Sequence, residues 1–557
     1  MKNLISTQWT VDQLVQYFAE GRIAVPEIQR DVVWDADQVK ELVDSISRGY
    51  PCGSIILWEP RLRDAKLIRD MIRPERLKLF EGRLPTYFLL DGQQRLTSLV
   101  SLILPRETLR EKLPEVDEED MPAMLFGNLK KFPREIEASA DGSSYKFPWV
   151  LLNRLFDTEL FGDSKFGSLS KEQRHQLDTF AQGIRNYQFP VQIIQDRDYE
   201  TVGEIFSRVN SSGTSLTGAE IHLAKIVPRW QGITPEFRIF LEDLREKDYE
   251  LDLTFLLRGI AAVECGVPNI GKLADKVAAK VVEKRHLDRT WRCVKQATKA
   301  IIRILQQELY LDKTKFFTSK NVLVPLVYYA AKDNSASLCK KDVMRFFLFS
   351  QLSEHYSSAS ETKLRRDLRT LTEPSTVRQG LSDLADNVER EARQYYRGLK
   401  IRPDDVAGSA SKNVMVLLMY IIFQREGAGN FGLGRTPSLN DIHSTKTQLH
   451  HIFPFNFMMT DKSALKFRDE NEYGSAEYRE MVNDIANLTF LSQSKNAEIG
   501  DEEPWVYLRN HTTKVSRRAH CIPEDESLWR PQRYADFICE RRRLIAARIN
   551  ALLKTLL

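Results

Sequence analysis

Apolar residues near the start of the chain recur with the helical period. Two stretches place hydrophobic side chains at i, i+3, i+4 and i+7, which is the spacing of one helix face. They consist of Val11, Leu14, Val15 and Phe18, and of Val39, Leu42, Val43 and Ile46. Ser6 or Thr7 is the expected cap of the first helix, and Asp35 with Gln38 resembles a capping box for the second. The pattern predicts two amphipathic helices.

Short apolar runs between these helical stretches predict strands. Gly53–Trp58, Thr86–Leu90 and Val191–Ile194 are rich in residues that favour buried strands. Later, residues 235–396 are helical in pattern throughout, so we interpret them as a helical spacer. Its basic cluster, Lys363–Arg369, is expected to be a solvated helix face. The fold class predicted is α+β and predominantly helical.

One polar cluster lies where a predicted strand becomes a predicted helix: Asp91, Gly92, Gln93, Gln94 and Arg95. Amide N–H groups at a helix start attract anions, and glycine lets the backbone approach a ligand closely. Arg95 adds a planar fork suited to phosphate. The cluster predicts an anion pocket for a nucleotide or a DNA backbone. An ordinary turn in which Asp91 and Arg95 pair with each other is equally compatible with the spacing.

A second polar group occurs near the C-terminus. His450 and His451 end a short alternating run that Pro454 stops, and a later β-like run is flanked by Asn487 and Asn496. Adjacent residues on a strand point to opposite sides, so the two histidines are expected to have different roles. Histidine titrates close to neutral pH and suits general-base chemistry. Alone, however, a His-His pair is more often a surface or packed pair.

Composition limits the class of protein. A chain of 557 residues is expected to contain three or four domains. The net charge of +4 permits DNA binding without requiring it, and six widely spaced cysteines favour a reducing cytoplasm over a disulfide framework. The ten-residue apolar run Val414–Phe423 is shorter than the roughly 20 residues that span a bilayer. We therefore expect a cytoplasmic protein without a membrane segment. Gly427–Gly434 is expected to be a flexible connector.

The N-terminal motifs resemble a known family. Pro26–Trp34, Ser45–Pro51 and Asp91–Arg95 are similar to the ParB-like (sulfiredoxin-like) domain of GmrSD-type, modification-dependent (type IV) restriction enzymes and of their phosphorothioate-sensing relatives. The run Phe206–Thr217 resembles the same domain. The resemblance implies that Gln29, Arg30 and Asp91–Arg95 bind and hydrolyse a nucleotide, GTP or ATP.

The C-terminal motifs resemble the HNH-type ββα-metal nuclease domain of the same enzymes. Carried over position by position, the resemblance makes His451 the general base, and Asn487 the residue that orients this base or braces the two strands. It makes His450 and Asn496 metal ligands. This neutral ligand set suits Mg²⁺ or Mn²⁺ better than zinc. The long interval between His451 and Asn487 predicts an inserted helix or loop at about 460–482. Clustered Lys514, Arg517 and Arg518 are expected to contact DNA phosphates.

These inferences predict three domains. They are a ParB-like nucleotide-binding and DNA-sensing domain (1–234), a helical spacer (235–426) and an HNH-type nuclease domain (427–557). The expected function is nucleotide-responsive, metal-dependent cleavage or nicking of modified, or modification-gated, double-stranded phage DNA in bacterial defence. A non-cleaving DNA- or nucleotide-binding regulator with a degenerate nuclease domain is the alternative. A homodimer is compatible with the sequence, and the modification recognised is left open.

Overall fold

The computed structural model describes residues 4–25, 34, 36–60, 85–104, 124–128, 132, 136–139, 149–156, 170–195, 201–202, 205, 218–333, 337–373, 376–410, 413–431 and 447–557. Its chain divides into two compact units. Unit 1 comprises Met1–Arg238 and Ala274–Lys284, and unit 2 comprises Ile239–Leu273 and Arg285–Leu557. The predicted boundary at 234/235 lies close to Arg238, whereas the predicted boundary at 426/427 falls inside unit 2. The three-domain division stays a prediction.

Unit 1 contains a mixed five-stranded sheet in the order β1-β8-β3-β4-β2. β8 pairs antiparallel with β1 and parallel with β3, while β4 pairs antiparallel with β3 and parallel with β2. A smaller antiparallel sheet has the order β6-β5-β7. The strands are β1 (Leu4–Thr10), β2 (Ile23–Ala24), β3 (Ile55–Glu59), β4 (Tyr87–Asp91), β5 (Met124–Asn128), β6 (Ile136–Ser139), β7 (Trp149–Leu151) and β8 (Gln188–Gln195).

Five α-helices lie within the described part of unit 1, and the predicted apolar faces of the first two pack in one core with its larger sheet. The helices are α1 (Val11–Ala19), α2 (Ala36–Ser47), α3 (Gln93–Ile103), α4 (Lys171–Asn186) and α5 (Gly218–Ile226). All eight apolar residues of the two predicted faces in α1 and α2 are buried in one core with residues of β3, β4 and β8. The cap expected at Ser6 or Thr7 is wrong, because those residues pair with β8 in β1. Thr10 caps α1 instead, in a capping box with Gln13.

Further helices follow from the boundary of the units onward. They are α6 (Ile233–Arg245), α7 (Leu253–Cys265), α8 (Ile270–Ala278), α9 (Lys284–Leu309), α10 (Leu323–Lys332), α11 (Lys340–Leu352), α12 (Ser360–Thr372), α13 (Val377–Tyr395) and α14 (Val414–Arg425). The unit boundaries cross α6 and α8 and fall directly after the first residue of α9. Residues Val414–Phe423 of α14 are all buried, as expected for a core helix that is apolar on every side.

No single helix among the described ranges has the length and apolar character needed to cross a bilayer, although the bent pair α7 and α8 meets both criteria jointly.

The C-terminal part of unit 2 contains two antiparallel strands, β9 (Thr447–His451) and β10 (Leu488–Ser492). Its helices are α15 (Phe455–Thr460), α16 (Lys462–Glu470), α17 (Ser475–Val482), α18 (Gln493–Ile499), α19 (Pro504–Asn510), α20 (Lys514–Ala519) and α21 (Tyr534–Lys554). α16 and α17 confirm the predicted insertion between the two strands. The described residues are mostly helical with some sheet, which is compatible with the predicted α+β class.

The second strand of this pair packs against residues from earlier in unit 2, one in a turn and two in α14. The Phe490 ring lies 5.3 Å from that of Phe316, 5.1 Å from Tyr420 and 6.0 Å from Phe423. Every residue of β10 is buried. The strand is therefore part of a core shared with α14, and not of a separately covered lobe.

The glycine-rich segment is also bound to this core in its described part. The Asn430 side chain accepts a hydrogen bond from Ser492 N at 2.8 Å, the Gly429 carbonyl accepts one from His520 Nε2 at 2.8 Å, and Phe431 is completely buried. The flexible connector expected at Gly427–Gly434 is therefore wrong for residues 427–431. Residues 432–434 lie outside the described ranges.

Candidate active site

The strand pair and the helix that follows it place the four candidate residues in one region. His451 pairs with Leu488 and His450 with Thr489 across β9 and β10. α18 begins directly after β10, capped by Ser492, and carries Asn496. The local arrangement is therefore strand, strand, helix, with α15, α16 and α17 between the two strands. As predicted from strand alternation, the two histidines differ: His450 is buried, whereas His451 is half-buried.

His450 forms a closed polar pair with Asn496. Its Nδ1 donates to Asn496 Oδ1 at 2.7 Å, and Asn496 Nδ2 donates to Gln448 Oε1 at 3.0 Å. The ring also lies beside Tyr507 and Phe431. Burial lowers the pKa of His450 to about 4, against the opposing effect of the Asn496 hydrogen bond. The imidazole is therefore neutral at physiological pH, which is the form that coordinates metals.

His451 contacts a residue that the sequence did not indicate. Its Nε2 lies 3.0 Å from Oδ1 of Asn483, the residue that ends α17. Burial lowers the pKa of His451, and the Asn483 hydrogen bond partly offsets that effect. Asn483 is 32 positions from His451 along the chain and caps the C-terminus of α17. An asparagine at a helix C-cap is common for local reasons, so no sequence signal connected it with the histidine.

Asn487 has the contacts of a brace. Its Nδ2 donates to the carbonyls of Phe453 (3.0 Å) and Val482 (2.9 Å), and its Oδ1 accepts from Phe453 N (2.9 Å). Its backbone carbonyl accepts from Ile452 N at 2.8 Å. The side chain is completely buried. Of the two predicted roles, these contacts correspond to bracing the end of β9. No contact of its side chain with the His451 ring occurs among the described residues.

The candidate metal ligands offer two neutral donors. Their atoms approach to 2.7 Å, so a cation held between them would replace the proton that they now share. His450 Nε2 is buried without a hydrogen-bond partner in the described part of the chain. No group of three His, Cys, Asp or Glu residues suited to a metal occurs in the described ranges. The pair fits a hard cation that keeps water and phosphate ligands, and does not fit a closed zinc site.

Two further buried side chains, His520 and Arg541, form hydrogen bonds in and next to β10. His520 Nδ1 lies 2.5 Å from the Thr489 hydroxyl, and burial lowers its pKa to about 3. Arg541 is completely buried and donates to the carbonyls of Ala486 (2.5 Å) and His520 (3.1 Å). In the sequence this arginine is the first residue of the basic run Arg541–Arg543. In the structure α21 begins at Tyr534 and Arg541 faces the core.

The predicted nucleotide motif occupies the junction of β4 and α3. Gly92 is the N-cap of α3 with φ +94°, and a Cβ there would lie 2.4 Å from Ile55 Cδ1, so the position requires glycine. Arg95 Nη2 donates to Asp91 Oδ2 at 2.9 Å and to the Ser54 carbonyl at 2.8 Å. Gln94 Oε1 accepts from Trp34 N at 3.2 Å, and Gln93 is buried. The ion pair is the one that the ordinary-turn alternative predicts.

Other predicted N-terminal residues lie outside the described ranges. These are Gln29, Arg30, Asp35 and the run Phe206–Thr217.

The predicted DNA contacts differ from one another. Arg517 faces inward: its Nη1 donates to the Leu508 carbonyl and to the carbonyl and hydroxyl of Thr512, at 3.0–3.2 Å. Lys514 and Arg518 are exposed, and both pair with Glu524 at 3.3 and 3.4 Å. Of the three, Lys514 and Arg518 therefore present their side chains to solvent, whereas Arg517 does not.

Comparison with known proteins gives the relationship of the N-terminal part. Residues 11–227 match the family model of the GmrSD restriction endonuclease, N-terminal domain. The chain is also 22% identical over 554 residues to an uncharacterized protein of Methanocaldococcus jannaschii, covering 92% of this chain and 88% of that protein. The N-terminal match thus supports a GmrSD-type family for this protein, with a restriction-endonuclease-related function and DNA as the implied substrate.

Proposed function

We propose that the protein is a metal-dependent DNA endonuclease whose cutting site is formed by β9, β10 and α18. The observation that carries the proposal is the grouping of His451 with the His450–Asn496 pair on this strand–strand–helix unit. Phosphodiester hydrolysis needs a base for water and a means of stabilising negative charge. The site offers both within one small region, in the chain whose N-terminal part matches a restriction endonuclease family.

Each residue has a defined task in this proposal. His451 accepts a proton from the attacking water, which its neutral imidazole can do because burial lowers its pKa. His450 and Asn496 would hold Mg²⁺ or Mn²⁺, which supplies charge stabilisation at the phosphate when bound. Asn487 keeps the end of β9 in place through its three side-chain hydrogen bonds.

The test is cleavage of DNA by the purified full chain. Wild-type protein is incubated with Mg²⁺ or Mn²⁺, or with a chelator, on unmodified, cytosine-hydroxymethylated, glucosylated and phosphorothioated DNA. We expect metal-dependent cutting of at least one modified DNA, and a loss of 100-fold or more in His451→Ala, of the order expected when a general base is removed. His511→Ala is the matched control, since His511 pairs with Glu498 and Glu502 at the surface. Undiminished cutting by His451→Ala would overturn the assignment.

A regulatory role for nucleotide is proposed for the β4–α3 junction. α3 starts at a left-handed glycine without a side-chain cap, and Arg95 lies beside that start. A phosphate could take the place of Asp91 as the partner of Arg95. We expect phosphate release from GTP or ATP by the wild type and about tenfold less from Arg95→Ala. Arg48→Ala is the control, because Arg48 also pairs with an aspartate one helical turn away. Equal release from Arg95→Ala and wild type would remove the motif from the mechanism.

A non-cleaving DNA- or nucleotide-binding regulator is the second candidate. The donor set favours it, because in the described part of the chain no group of three His, Cys, Asp or Glu residues suited to a metal accompanies the neutral His450–Asn496 pair. The cleavage experiment separates the two functions. Binding of DNA without cutting of any substrate in either metal would establish the regulator.

A further inference from the structure

We propose that Asn483 is a positioning residue for His451 and determines which ring nitrogen is basic. This inference rests on the proposed nuclease function of the same site. Asn483 Oδ1 lies 3.0 Å from His451 Nε2, and an amide oxygen only accepts hydrogen bonds. Nε2 must then carry the proton of the neutral ring. The lone pair is left on Nδ1.

The step that follows uses Nδ1 as the base. Nδ1 takes a proton from water, and the water oxygen forms the new bond to phosphorus. The bridging P–O bond breaks with its electron pair on the leaving oxygen, which takes a proton from solvent. Throughout the step, the Nε2–H group stays hydrogen-bonded to Asn483 Oδ1, so the imidazolium that forms keeps its orientation. A histidine with the opposite tautomer would present N–H where the water proton must go.

The surroundings of Asn483 hold it in place for this task. Its backbone N–H donates to the carbonyls of Arg479 and Met481 at the end of α17. The next residue, Asp484, is held by Ala486 N (2.9 Å), Gly408 N (3.0 Å) and Arg542 Nη2 (2.7 Å). The asparagine side chain is exposed, but its backbone is attached to a buried and bonded neighbour.

Asn487, to which sequence resemblance gave an orienting role, cannot supply this contact in the same arrangement. Both ends of its amide bond to backbone groups of Phe453 and Val482. The two alternative roles that the resemblance gave to Asn487 therefore belong to two different asparagines. Asn487 braces the strand end, and Asn483 orients the base.

The experiment compares Asn483→Ala and Asn483→Asp in the full chain. Aspartate keeps an acceptor for Nε2–H, whereas alanine removes it. The matched control is Asn471→Ala, because Asn471 is the C-cap of α16 and bonds only its own helix, at the Phe467 carbonyl. Single-turnover cleavage is measured with thermal unfolding of each variant. ¹⁵N-histidine NMR gives the tautomer of His451, whose signals are identified by their absence in His451→Ala.

We expect cleavage by Asn483→Ala to fall about 10- to 100-fold, as for residues that orient a reacting group. Asn483→Asp should retain most activity, Asn471→Ala all of it, and the three should unfold at similar temperatures. The NMR spectrum should show protonated Nε2 in wild type and Asn483→Asp, and a mixture in Asn483→Ala. A wild-type ring protonated at Nδ1, or full cleavage by Asn483→Ala, would overturn the inference. Wild type that cuts no DNA would instead refute the nuclease function, with the NMR result still deciding the role of Asn483.

Discussion

Unit 2 buries histidines in two regions and gives them opposite charge states. At the β9–β10 pair, His450 and His520 contact an amide, a hydroxyl and a carbonyl, and burial lowers the pKa of each ring. Among the earlier helices, His355 lies between two carboxylates: Nε2 is 2.8 Å from Asp367 Oδ2 and Nδ1 is 2.5 Å from Glu391 Oε2. Burial opposes its charge, but the two carboxylates outweigh burial and raise the pKa of His355.

The difference shows that burial alone does not decide the charge of a histidine. His355 and His450 are 1% and 2% exposed, so desolvation acts strongly on both. The partners decide: neutral partners leave the ring neutral, and carboxylates hold it charged. The candidate active site thus keeps neutral rings suited to base and ligand chemistry. The helical region uses a charged ring to join residues after α11 to α12 and α13.

The largest effect should come from breaking the charged cluster. Asp367→Ala removes one partner of a buried imidazolium and also the acceptor of the Tyr356 hydroxyl, which donates at 2.6 Å. We expect a loss of about 3 to 5 kcal/mol in the free energy of unfolding, measured with urea, because a buried charge is left incompletely paired. Glu361→Ala, at an exposed pair on the same helix, should change it by less than about 1 kcal/mol. Similar small losses in both variants would show that His355 is neutral.

The second expected effect is a decrease in the free energy of unfolding at acid pH. The pKa of His450 in the folded protein is about 4, below its unfolded value of about 6.5. Such a group contributes stability that is complete above about pH 6.5 and is lost as pH falls toward 4, by up to about 3 kcal/mol. Urea unfolding between pH 7 and 4 measures this, with His450→Gln expected to reduce the acid loss. An equal acid loss in His450→Gln would mean that His450 is not the titrating group.

The pKa of His355 is raised where that of His450 is lowered, so the effect of His355 on stability should appear at higher pH. The raised pKa of His355 gives stability that is complete below about pH 6.5 and is lost as pH rises through its folded pKa. Asp367, Glu391, Tyr356, Arg366 and Lys363 are the titratable and charged groups around it. Wild type should therefore weaken on the alkaline side, and His355→Gln should not show that slope. The same alkaline slope in both proteins would contradict the comparison.

The smallest of these effects should come from the neutral pair. Asn496→Ala leaves the His450 Nδ1–H without its acceptor in a buried site. We expect a loss of about 1 to 3 kcal/mol in the free energy of unfolding. This is less than for Asp367→Ala, because the group that loses its partner is a neutral N–H and not a charged ring. Asn510→Ala, at an exposed position ending α19, is the control. A loss larger than that of Asp367→Ala would reverse the ranking that the two charge states predict.

The sequence predicts correctly those elements whose position depends on one simple feature of the chain. The apolar faces of α1 and α2 follow from residue spacing, and the insertion at about 460–482, which contains α16 and α17, follows from chain length. The prediction fails where competing local interactions decide. Thr10 caps α1 because Ser6 and Thr7 are taken by strand pairing, and residues 427–431 are bound by Ser492 and His520, which lie far along the chain.

In the candidate active site, the sequence indicates which residues take part but not all of their contacts. Histidine and asparagine types in order indicated His450, His451, Asn487 and Asn496, and the fold brings them to one strand–strand–helix unit. The contact of Asn483, the inward direction of Arg517 and the burial of Arg541 depend on packing between elements distant in sequence. Residue type alone gives an arginine no preference between a phosphate and a core carbonyl. Charge counts along a sequence therefore overstate the DNA-facing surface.

The packing of Phe490 against Phe316, Tyr420 and Phe423 determines which fragments of this protein can fold on their own. A fragment beginning at residue 427 would lack all three of these aromatic partners and would present the back of β10 to water. Such a fragment should aggregate and should not behave as an independently folded domain. For protein engineering, the smallest exchangeable module that contains the site extends back through α14 to the loop bearing Phe316.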